Sequence, residues 1–510
     1  MVFSSPIFLF VFLPVTCALA LISRKSIKIQ NFLLAIMSVA FYTWGNPYYL
    51  LLLLASVIVN YFLARLADTE AGRNGDGEAE RRRKSVLVVC VLFNILLLSI
   101  FKYADFIVEN LNRIPGATIP NPGIPLPIGI SFFTFQAMSY VLDVGRGRLR
   151  AQRNIITVLF YISFFPQLIA GPIVRYGDIE PMLTHRSVKP EDAAYGLRRF
   201  VFGLSKKLLI ANSVGAVADV IFGVSAQAAS YGAAGASTAT IFSGTISWPV
   251  AWLGAIAYTL QIYYDFSGYS DMAVGLGRMF GFHYPENFNY PYSALGMRAF
   301  WRKWHISLST WFRDYVYIPL GGNKRGKLRE GFNKLVVFFL TGLWHGASWT
   351  FVVWGLFHGL FLVVETYGGA WVRKMSKMAG ITSDSAGTLK TIKATNAVIW
   401  LYTMIVVTAG FVVFRAPTLT DAGRFLSAMF FGAGAENAAA QFLQVRTLLK
   451  PSTLIASGAA LAAMFPIKQA LLSKLPKLQS AGFALSIPLF VLCVLNLATA
   501  TYNPFIYYRF

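Results

Sequence analysis

The sequence predicts an all-α, polytopic membrane protein, and three observations support this fold class. Of the 510 residues, 56% are hydrophobic and only 13% are charged, whereas a soluble protein carries about 25% charged residues. The mean hydropathy is +0.56. Apolar stretches recur at lengths near the roughly 20 residues that cross a bilayer as a helix, so we expect about 11–12 transmembrane helices in one domain over residues 1–510.

The basic residues set the orientation of these helices and exclude some partners. The net charge is +23, but the Lys and Arg residues cluster in short loops between apolar stretches, as cytoplasmic loops do. Such loops favour anionic lipid head groups, so we expect membrane lipid and no nucleic acid as a partner. Cys17, Cys90 and Cys493 lie in apolar segments without metal-ligand spacing, and we expect neither a disulfide framework nor a metal site.

Loop charge orders the first half of the chain. Basic loops follow the first, third and fifth apolar stretches, which predicts an external amino terminus and five spans at 2–22, 31–44, 47–66, 86–108 and 126–144. The next apolar stretch, 154–173, is flanked by basic loops on both sides and contains Pro166, Gly171 and Pro172. Because these residues interrupt helical hydrogen bonding, we expect a re-entrant element enclosed by protein.

The second half is predicted to contain a polar region between further spans. We expect spans at 208–223 and 241–263, joined by an external, charge-free loop at 224–240. Residues 264–334 hold ten Lys or Arg and five Asp or Glu, which predicts a cytoplasmic or membrane-surface region. The stretch 335–367 fits either one long helix or a broken pair hinged near Gly346, and three spans follow at 395–414, 452–467 and 482–500.

Two histidines are candidates for chemistry. His345 lies in an apolar run, "GLWHGASW", where an ionisable residue is usually functional; the alternative is a neutral histidine bonded to a carbonyl group. His305 lies in "FWRKWHISLSTWFRDYVYIPLGG", which forms a broad aromatic face if it is helical. That face predicts an interfacial helix, in which His305 is either functional or incidental to a membrane anchor.

Two further sets of residues have weaker cases. His358, in "GLFHG", would lie about 19.5 Å along the axis from His345 on one continuous helix, so we predict a structural role unless the helix breaks between them. A glycine-punctuated stretch, 260–292, is predicted to form a turn after a span. Its polar residues are Asp265, Ser267, Ser270 and Asp271. They could line a tunnel, hold a substrate head group or cap a helix end.

Histidines without a metal cluster, a reactive-looking cysteine or a nucleophile elbow favour proton transfer. A neutral imidazole accepts a proton from an attacking hydroxyl, and aromatic walls exclude the water that would hydrolyse an activated acyl donor. Acyl transfer to an alcohol fits this pattern. A proton-coupled transporter or polysaccharide export component is the alternative, although we find no internal repeat of the kind common in transporters. A membrane scaffold is a third class, but it leaves the histidines unexplained.

Four segments resemble the membrane-bound O-acyltransferase (MBOAT) family, and its bacterial branch with the alginate O-acetylation protein and the teichoic acid D-alanyl transferase in particular. They are "FFPQLIAGPIVRY", "YYDFSGYSDMAVGLGRMFG", "FWRKWHISLSTWFRDYVYIPLGGN" and "TGLWHGASWTFVVWGLFHG". The resemblance implies a ring of helices around a central funnel or tunnel. We therefore divide the chain into amino-terminal helices (1–124), the MBOAT core (125–367) and carboxy-terminal helices (368–510).

The resemblance also implies the site residues. It places the family's essential histidine at His345 and a second functional position at His305, with His345 as general base and His305 as a catalytic or positioning residue; the residues alone leave open which one takes the proton. We expect further substrate or tunnel residues at Trp344, Trp304, Asp265, Ser267, Tyr264 and Asp314.

The implied activity is acetyl transfer from a cytoplasmic donor across the bacterial inner membrane, for O-acetylation of an exported polysaccharide, alginate foremost. The donor is expected to be acetyl-CoA, which is a substrate rather than a bound cofactor, or an acyl carrier as in the teichoic acid branch. Periplasmic polysaccharide acetyltransferases and accessory proteins are the expected partners. D-alanyl, peptidoglycan or cellulose acyl transfer by the same fold is the alternative.

Overall fold

A computed structural model describes residues 1–45, 47–68, 77–223, 246–378, 387–432, 438–467 and 478–499. These residues form helices and connecting loops without a β-strand, which confirms the all-α prediction. The predicted external loop 224–240 lies outside the described residues. Six described helices are long and apolar enough to cross a membrane: Tyr49–Ala67, Gly77–Leu111, Pro190–Ile221, Trp349–Gly368, Thr395–Arg415 and Gly482–Thr499.

The backbone contacts divide the chain into two compact units. Residues 1–204 and 269–286 form the first unit, and residues 205–268 and 287–510 form the second. The division into amino-terminal helices, core and carboxy-terminal helices stays a prediction.

The first part of the chain follows the predicted order of spans. After a π-helical turn at Phe8–Phe12, its helices are α1 (Leu13–Ile22), α2 (Ile27–Thr43), α3 (Tyr49–Ala67), α4 (Gly77–Leu98), α5 (Ala104–Leu111) and α6 (Ile130–Gly145). A π-helical turn, Ser99–Tyr103, joins α4 to α5. The predicted span 86–108 was therefore too short. The basic run 81–84 lies within α4 rather than in a loop, because Arg and Lys are good helix formers.

The stretch 154–173 is broken, as its prolines and glycine predict. It contains α7 (Ile155–Ser163) and the four-residue α8 (Phe165–Leu168), followed by non-helical chain. A nine-residue helix is only about 14 Å long, which is too short to cross a hydrocarbon core of about 30 Å. Residues 160–174 are all buried. Protein thus surrounds the break, as irregular backbone in a membrane requires.

The predicted turn after residue 263 is absent, and the chain stays helical there. The helices in this part are α9 (Tyr176–Thr184), α10 (Pro190–Ser205), α11 (Asn212–Ile221) and α12 (Trp248–Met279), with a π-helical turn, Lys206–Ala211, between α10 and α11. Asp265, Ser267, Ser270 and Asp271 therefore lie inside α12, and the helix-cap interpretation is wrong. Glycines in this segment serve close packing instead: a Cβ atom at Gly275 would lie 2.6 Å from the Gly196 carbonyl oxygen.

The segment around His305 is also not one continuous helix. It consists of a 3₁₀ turn (Pro291–Ser293), α13 (Met297–Lys303), α14 (Ile306–Phe312) and a π-helical turn (Arg313–Tyr317). Trp301, Trp304 and Trp311 are buried in the protein, so the aromatic side packs against protein rather than lipid. The position of this segment at the membrane boundary stays a prediction. The same aromatic pattern serves packing within the second unit.

The structure settles the alternative at 335–367 in favour of a broken pair, α15 (Lys327–His345) and α16 (Trp349–Met378). The remaining helices are α17 (Gly387–Arg415), α18 (Leu419–Phe431), α19 (Ala438–Arg446), α20 (Pro451–Ala463) and α21 (Leu478–Thr499).

Candidate active site

His345 is placed by the break between α15 and α16. It is the last residue of α15, and Gly346 after it adopts an extended conformation with φ −174° and ψ 160°. A Cβ atom at Gly342 would collide with the Phe351 carbonyl oxygen, and one at Gly346 would collide with the Phe351 ring. The glycines of "GLWHG" therefore allow α16 to approach the end of α15, which fixes the position of the histidine between them.

Aromatic rings surround His345. Its imidazole centroid lies 4.9 Å from Trp344, 5.1 Å from Trp354 and 5.2 Å from Phe414, and only 6% of the residue is exposed. Such a wall keeps bulk water from a reacting group and strengthens electrostatic interactions there.

His305 lies at the junction of α13 and α14 in a strained backbone conformation. Its φ of 43° and ψ of 55° are left-handed, which costs of the order of 1–3 kcal/mol for a residue other than glycine. Asn287 holds this junction in place. Its carbonyl oxygen accepts a hydrogen bond from the Ile306 N–H (2.9 Å), and its Oδ1 accepts one from the Ser307 hydroxyl (2.9 Å). Backbone strain maintained in this way is typical of functional sites.

The surroundings of His305 keep its imidazole neutral. The residue is 1% exposed, and its ring lies 4.7 Å from Phe266 and 5.9 Å from Trp344. Burial lowers the pKa of His305 to about 3, because an apolar environment penalises the charged form. The neutral imidazole keeps one ring nitrogen unprotonated, so that nitrogen can accept a proton, as a general base does.

Trp344 links the two predicted catalytic histidines. Its ring contacts both His305 and His345, and all three residues lie in the second unit. The structure therefore brings together the two histidines that the sequence predicts as catalytic. Their roles in catalysis stay predictions.

His358 lies closer to His345 than the sequence predicts for one continuous helix. Because the chain turns back after α15, Trp354 contacts both His345 (5.1 Å) and His358 (5.2 Å). His358 also contacts Trp301 at 5.1 Å. The separation expected on one continuous helix is wrong, since the helix breaks between the two histidines. Neither ring nitrogen of the buried His358 has a hydrogen-bond partner within the described part of the chain.

Trp304, Tyr264 and Ser267 are buried residues of the second unit. The ring of Trp304 stacks on Phe300 at 5.5 Å, and the Tyr264 hydroxyl donates to the Ala460 carbonyl oxygen. The roles of all three as substrate or tunnel residues stay predictions.

The two predicted carboxylates form ion pairs. Asp265 pairs with Lys207 at 2.7 Å, and both side chains are almost fully buried. Asp314 pairs with Arg313 at 2.7 Å. A charge inside a membrane segment usually pairs with a partner of opposite sign, which explains Lys207 opposite Asp265. The tunnel roles of both carboxylates stay predictions.

Asn287 and Lys207 were not identified from the sequence. Lys207 stands out as a cation at the start of an apolar run, and that signal was available. Asn287 is one polar residue of "YPENFNYPY", 18 positions before His305, and no spacing rule connects the two. Across the ranges that the structure covers, no three His, Cys, Asp or Glu residues group into a metal site.

Comparison with known proteins gives a consistent set of relatives. The family model of MBOAT, the membrane-bound O-acyltransferase family, matches residues 130–406. A protein of Pseudomonas aeruginosa named "Probable alginate O-acetylase AlgI" is 39% identical over 434 residues, which cover 84% of this chain and 75% of the relative. A protein of the same name from Pseudomonas putida is 36% identical over 532 residues, covering 100% of both chains.

The name of a third relative refers to a different polymer. The "Peptidoglycan O-acetyltransferase" of Helicobacter pylori is 34% identical over 460 residues, which cover 84% of this chain and 80% of the relative.

Proposed function

The chain belongs to the membrane-bound O-acyltransferase family and is a membrane O-acyltransferase, and we propose that it moves acetyl groups from cytoplasmic acetyl-CoA across the inner membrane. The acetyl groups serve O-acetylation of an exported polysaccharide, with alginate as the first candidate. The similarity to relatives named as alginate O-acetylases over most of the chain supports this choice of polymer. The relative named for peptidoglycan makes that polymer the second candidate.

One observation carries the proposal: two buried histidines flank the same tryptophan. His305 and His345 both contact Trp344, and both are more than nine-tenths buried. Acyl transfer from a thioester needs a proton acceptor for the attacking hydroxyl and protection of the donor from water. A pair of imidazoles in an aromatic enclosure supplies both.

The reaction is balanced without a redox partner or a metal. The acceptor oxygen forms a bond to the acetyl carbonyl carbon while the hydroxyl proton passes to a histidine. The tetrahedral intermediate then collapses, the carbon–sulfur bond breaks, and the proton passes to the departing thiolate. The products are an acetyl ester and the free thiol of CoA. The histidine returns to its neutral form, ready for another cycle.

The acceptor is a hydroxyl that reaches the site from the side opposite the donor. We propose that periplasmic acetyltransferases or accessory proteins pass the acetyl group on to the polymer. An acyl carrier protein in place of acetyl-CoA is the alternative donor.

The proposal is tested in proteoliposomes of known protein orientation. Radiolabelled acetyl-CoA is supplied on one face and an oligomannuronate acceptor, with the periplasmic fraction of the host, on the other. We expect label in the oligosaccharide only when acetyl-CoA faces the cytoplasmic loops, and a rate about 10²–10⁴-fold lower for His345→Gln. A peptidoglycan fragment in place of oligomannuronate serves as the matched acceptor.

Three results would contradict parts of the proposal. Label transfer only from an acetylated carrier protein would overturn acetyl-CoA as the donor. Preference for the peptidoglycan fragment would overturn alginate as the polymer. Passage of polysaccharide or protons without consumption of any thioester, by wild type of normal size-exclusion profile, would overturn acyl transfer itself.

A further inference from the structure

Asn287 contacts three consecutive residues around His305. Its backbone carbonyl oxygen accepts from the Ile306 N–H at 2.9 Å. Its side-chain Oδ1 lies 2.9 Å from the Ser307 hydroxyl, 3.3 Å from the Ser307 backbone nitrogen and 3.1 Å from His305 Nδ1. Asn287 is 1% exposed. One buried side chain thus contacts the imidazole and the start of α14 together.

The Ser307 backbone determines which end of the Asn287 amide faces His305. A backbone N–H can only donate, so the amide atom that it faces must be the oxygen. An amide oxygen carries no proton and can only accept. The 3.1 Å contact is therefore a hydrogen bond only if His305 Nδ1 carries the proton and donates it.

We propose that Asn287 is a positioning residue that holds His305 in the Nδ1–H tautomer, with Nε2 as its proton-accepting nitrogen. In a neutral imidazole one nitrogen is a donor and the other an acceptor, and the hydrogen bond of one sets the state of the other. The catalytic role of this tautomer rests on the proposed function, in which His305 Nε2 takes the proton of the attacking hydroxyl. The tautomer itself is independent of the substrate.

Two changes at Asn287 separate positioning from structural support. Asn287→Ala removes the acceptor, and we expect kcat to fall about 100-fold with an unchanged KM for acetyl-CoA, since general-base catalysis contributes about 10²–10⁴-fold. Asn287→Asp keeps an acceptor oxygen and adds a negative charge that favours the imidazolium. It should therefore retain activity at alkaline pH and lose it at a higher pH than wild type as the solution is acidified.

Ser307→Ala is the matched control. It removes the hydroxyl that donates to the same oxygen but leaves the acceptor for His305, so we expect a wild-type pH profile and a kcat within about twofold of wild type, as for a single neutral hydrogen bond of small net value. A wild-type kcat for Asn287→Ala, or a wild-type pH profile for Asn287→Asp, would overturn the inference.

A spectroscopic measurement decides the tautomer without activity. The chain has five histidines, so ¹⁵N-histidine labelling in nanodiscs gives few signals, and the His305 pair is assigned by its loss in His305→Gly. We expect a protonated Nδ1 and an unprotonated Nε2, and a proton on Nε2 instead would overturn the inference. If the Nδ1–H tautomer is found but no thioester is consumed, the inference stands and the proposed function fails.

Discussion

The sequence contains nearly the same five residues twice, "GLWHG" at 342–346 and "GLFHG" at 355–359, and the structure uses the two copies differently. In both copies the first glycine allows close packing of α15 against α16. A Cβ atom at Gly342 would collide with the Phe351 carbonyl oxygen, and one at Gly355 would collide with the Phe338 carbonyl oxygen. The histidines differ, because His345 ends a helix while His358 lies inside one.

The repeated pattern therefore indicates that the two copies share a role in helix packing, and it does not indicate that both histidines have the same chemical role. His345 adjoins Trp344, which also contacts His305. His358 instead packs against Trp301 and Gly410 within the aromatic core. We therefore expect the two histidines to respond differently to substitution, although Trp354 contacts both rings.

The largest expected effect is at His345. His345→Gln should lower the rate of acetyl transfer by about 10²–10⁴-fold, because general acid–base catalysis contributes that much, while insertion and folding are unchanged. Initial rates with labelled acetyl-CoA in nanodiscs measure the effect, and size-exclusion chromatography checks the fold. A well-folded His345→Gln protein with near wild-type turnover would show that His345 is not catalytic and does not differ from His358 in this respect.

The packing role of the shared glycines predicts a loss of stability. Gly342→Ala should lower the free energy of unfolding by about 1–3 kcal/mol, the usual cost of overpacking, because the new methyl group meets backbone rather than a movable side chain. Thermal unfolding in detergent measures the change.

The matched control is Gly423→Ala on α18, where a Cβ atom would meet nothing within 4 Å. We expect it to be neutral or slightly stabilising, since alanine favours a helix by roughly 0.5–1 kcal/mol over glycine. Equal loss of stability in both variants would mean that close approach at Gly342 is not the cause.

At His305 the backbone strain can be separated from the chemistry. His305→Ala and His305→Gly both remove the imidazole, and both should lose acetyl transfer. His305→Gly should nevertheless unfold at the higher temperature, because a left-handed conformation costs about 1–3 kcal/mol for a residue other than glycine and little for glycine. Differential scanning fluorimetry compares the two variants. If the alanine variant is the more stable one, the left-handed conformation at 305 is not maintained in the protein.

The smallest expected effect on activity is at His358. His358→Leu replaces the imidazole with an apolar side chain of similar volume, and within the described residues no hydrogen-bond partner of His358 is lost. Volume-conserving core changes usually cost less than about 1.5 kcal/mol, so we expect transfer rates within about tenfold of wild type. A loss as large as that of His345→Gln would show that the two copies share one function.

Each of the six candidate spans among the described residues overlaps a predicted span, because apolar composition is a local property. The sequence also indicated the break just before Pro166, where Phe164 separates α7 from α8, since proline interrupts the hydrogen bonds of its own helix. The packing of Trp301 and Trp304 within the protein was not predictable, because a pattern of apolar residues does not distinguish a membrane-facing side from a protein core. The polar residues from Asp265 onwards lie in a helix rather than in the predicted turn, because the glycines of this segment permit close packing and do not end the helix.

The site was predictable only where one residue carries its own signal. His345 was identified because an ionisable residue in an apolar run is costly. The contacts of Trp344 with both His345 and His305 depend on tertiary structure. The contact between Asn287 and His305 does so too. The proximity of His358 depends on a chain reversal that loop charge could not settle. Each of these features joins segments whose distance in the sequence has no regular spacing.

The most direct test of the central claim, that the two buried histidines perform acyl transfer, is a balance of thioester and ester in one reaction. Purified protein in nanodiscs receives acetyl-CoA and an acceptor oligosaccharide, and the released thiol and the new acetyl ester are measured together for wild type, His345→Gln and His305→Gln. We predict one ester for each thiol released by wild type, and formation of both products at least about 100-fold slower in the two variants. Equal ester formation by wild type and both variants would contradict the account.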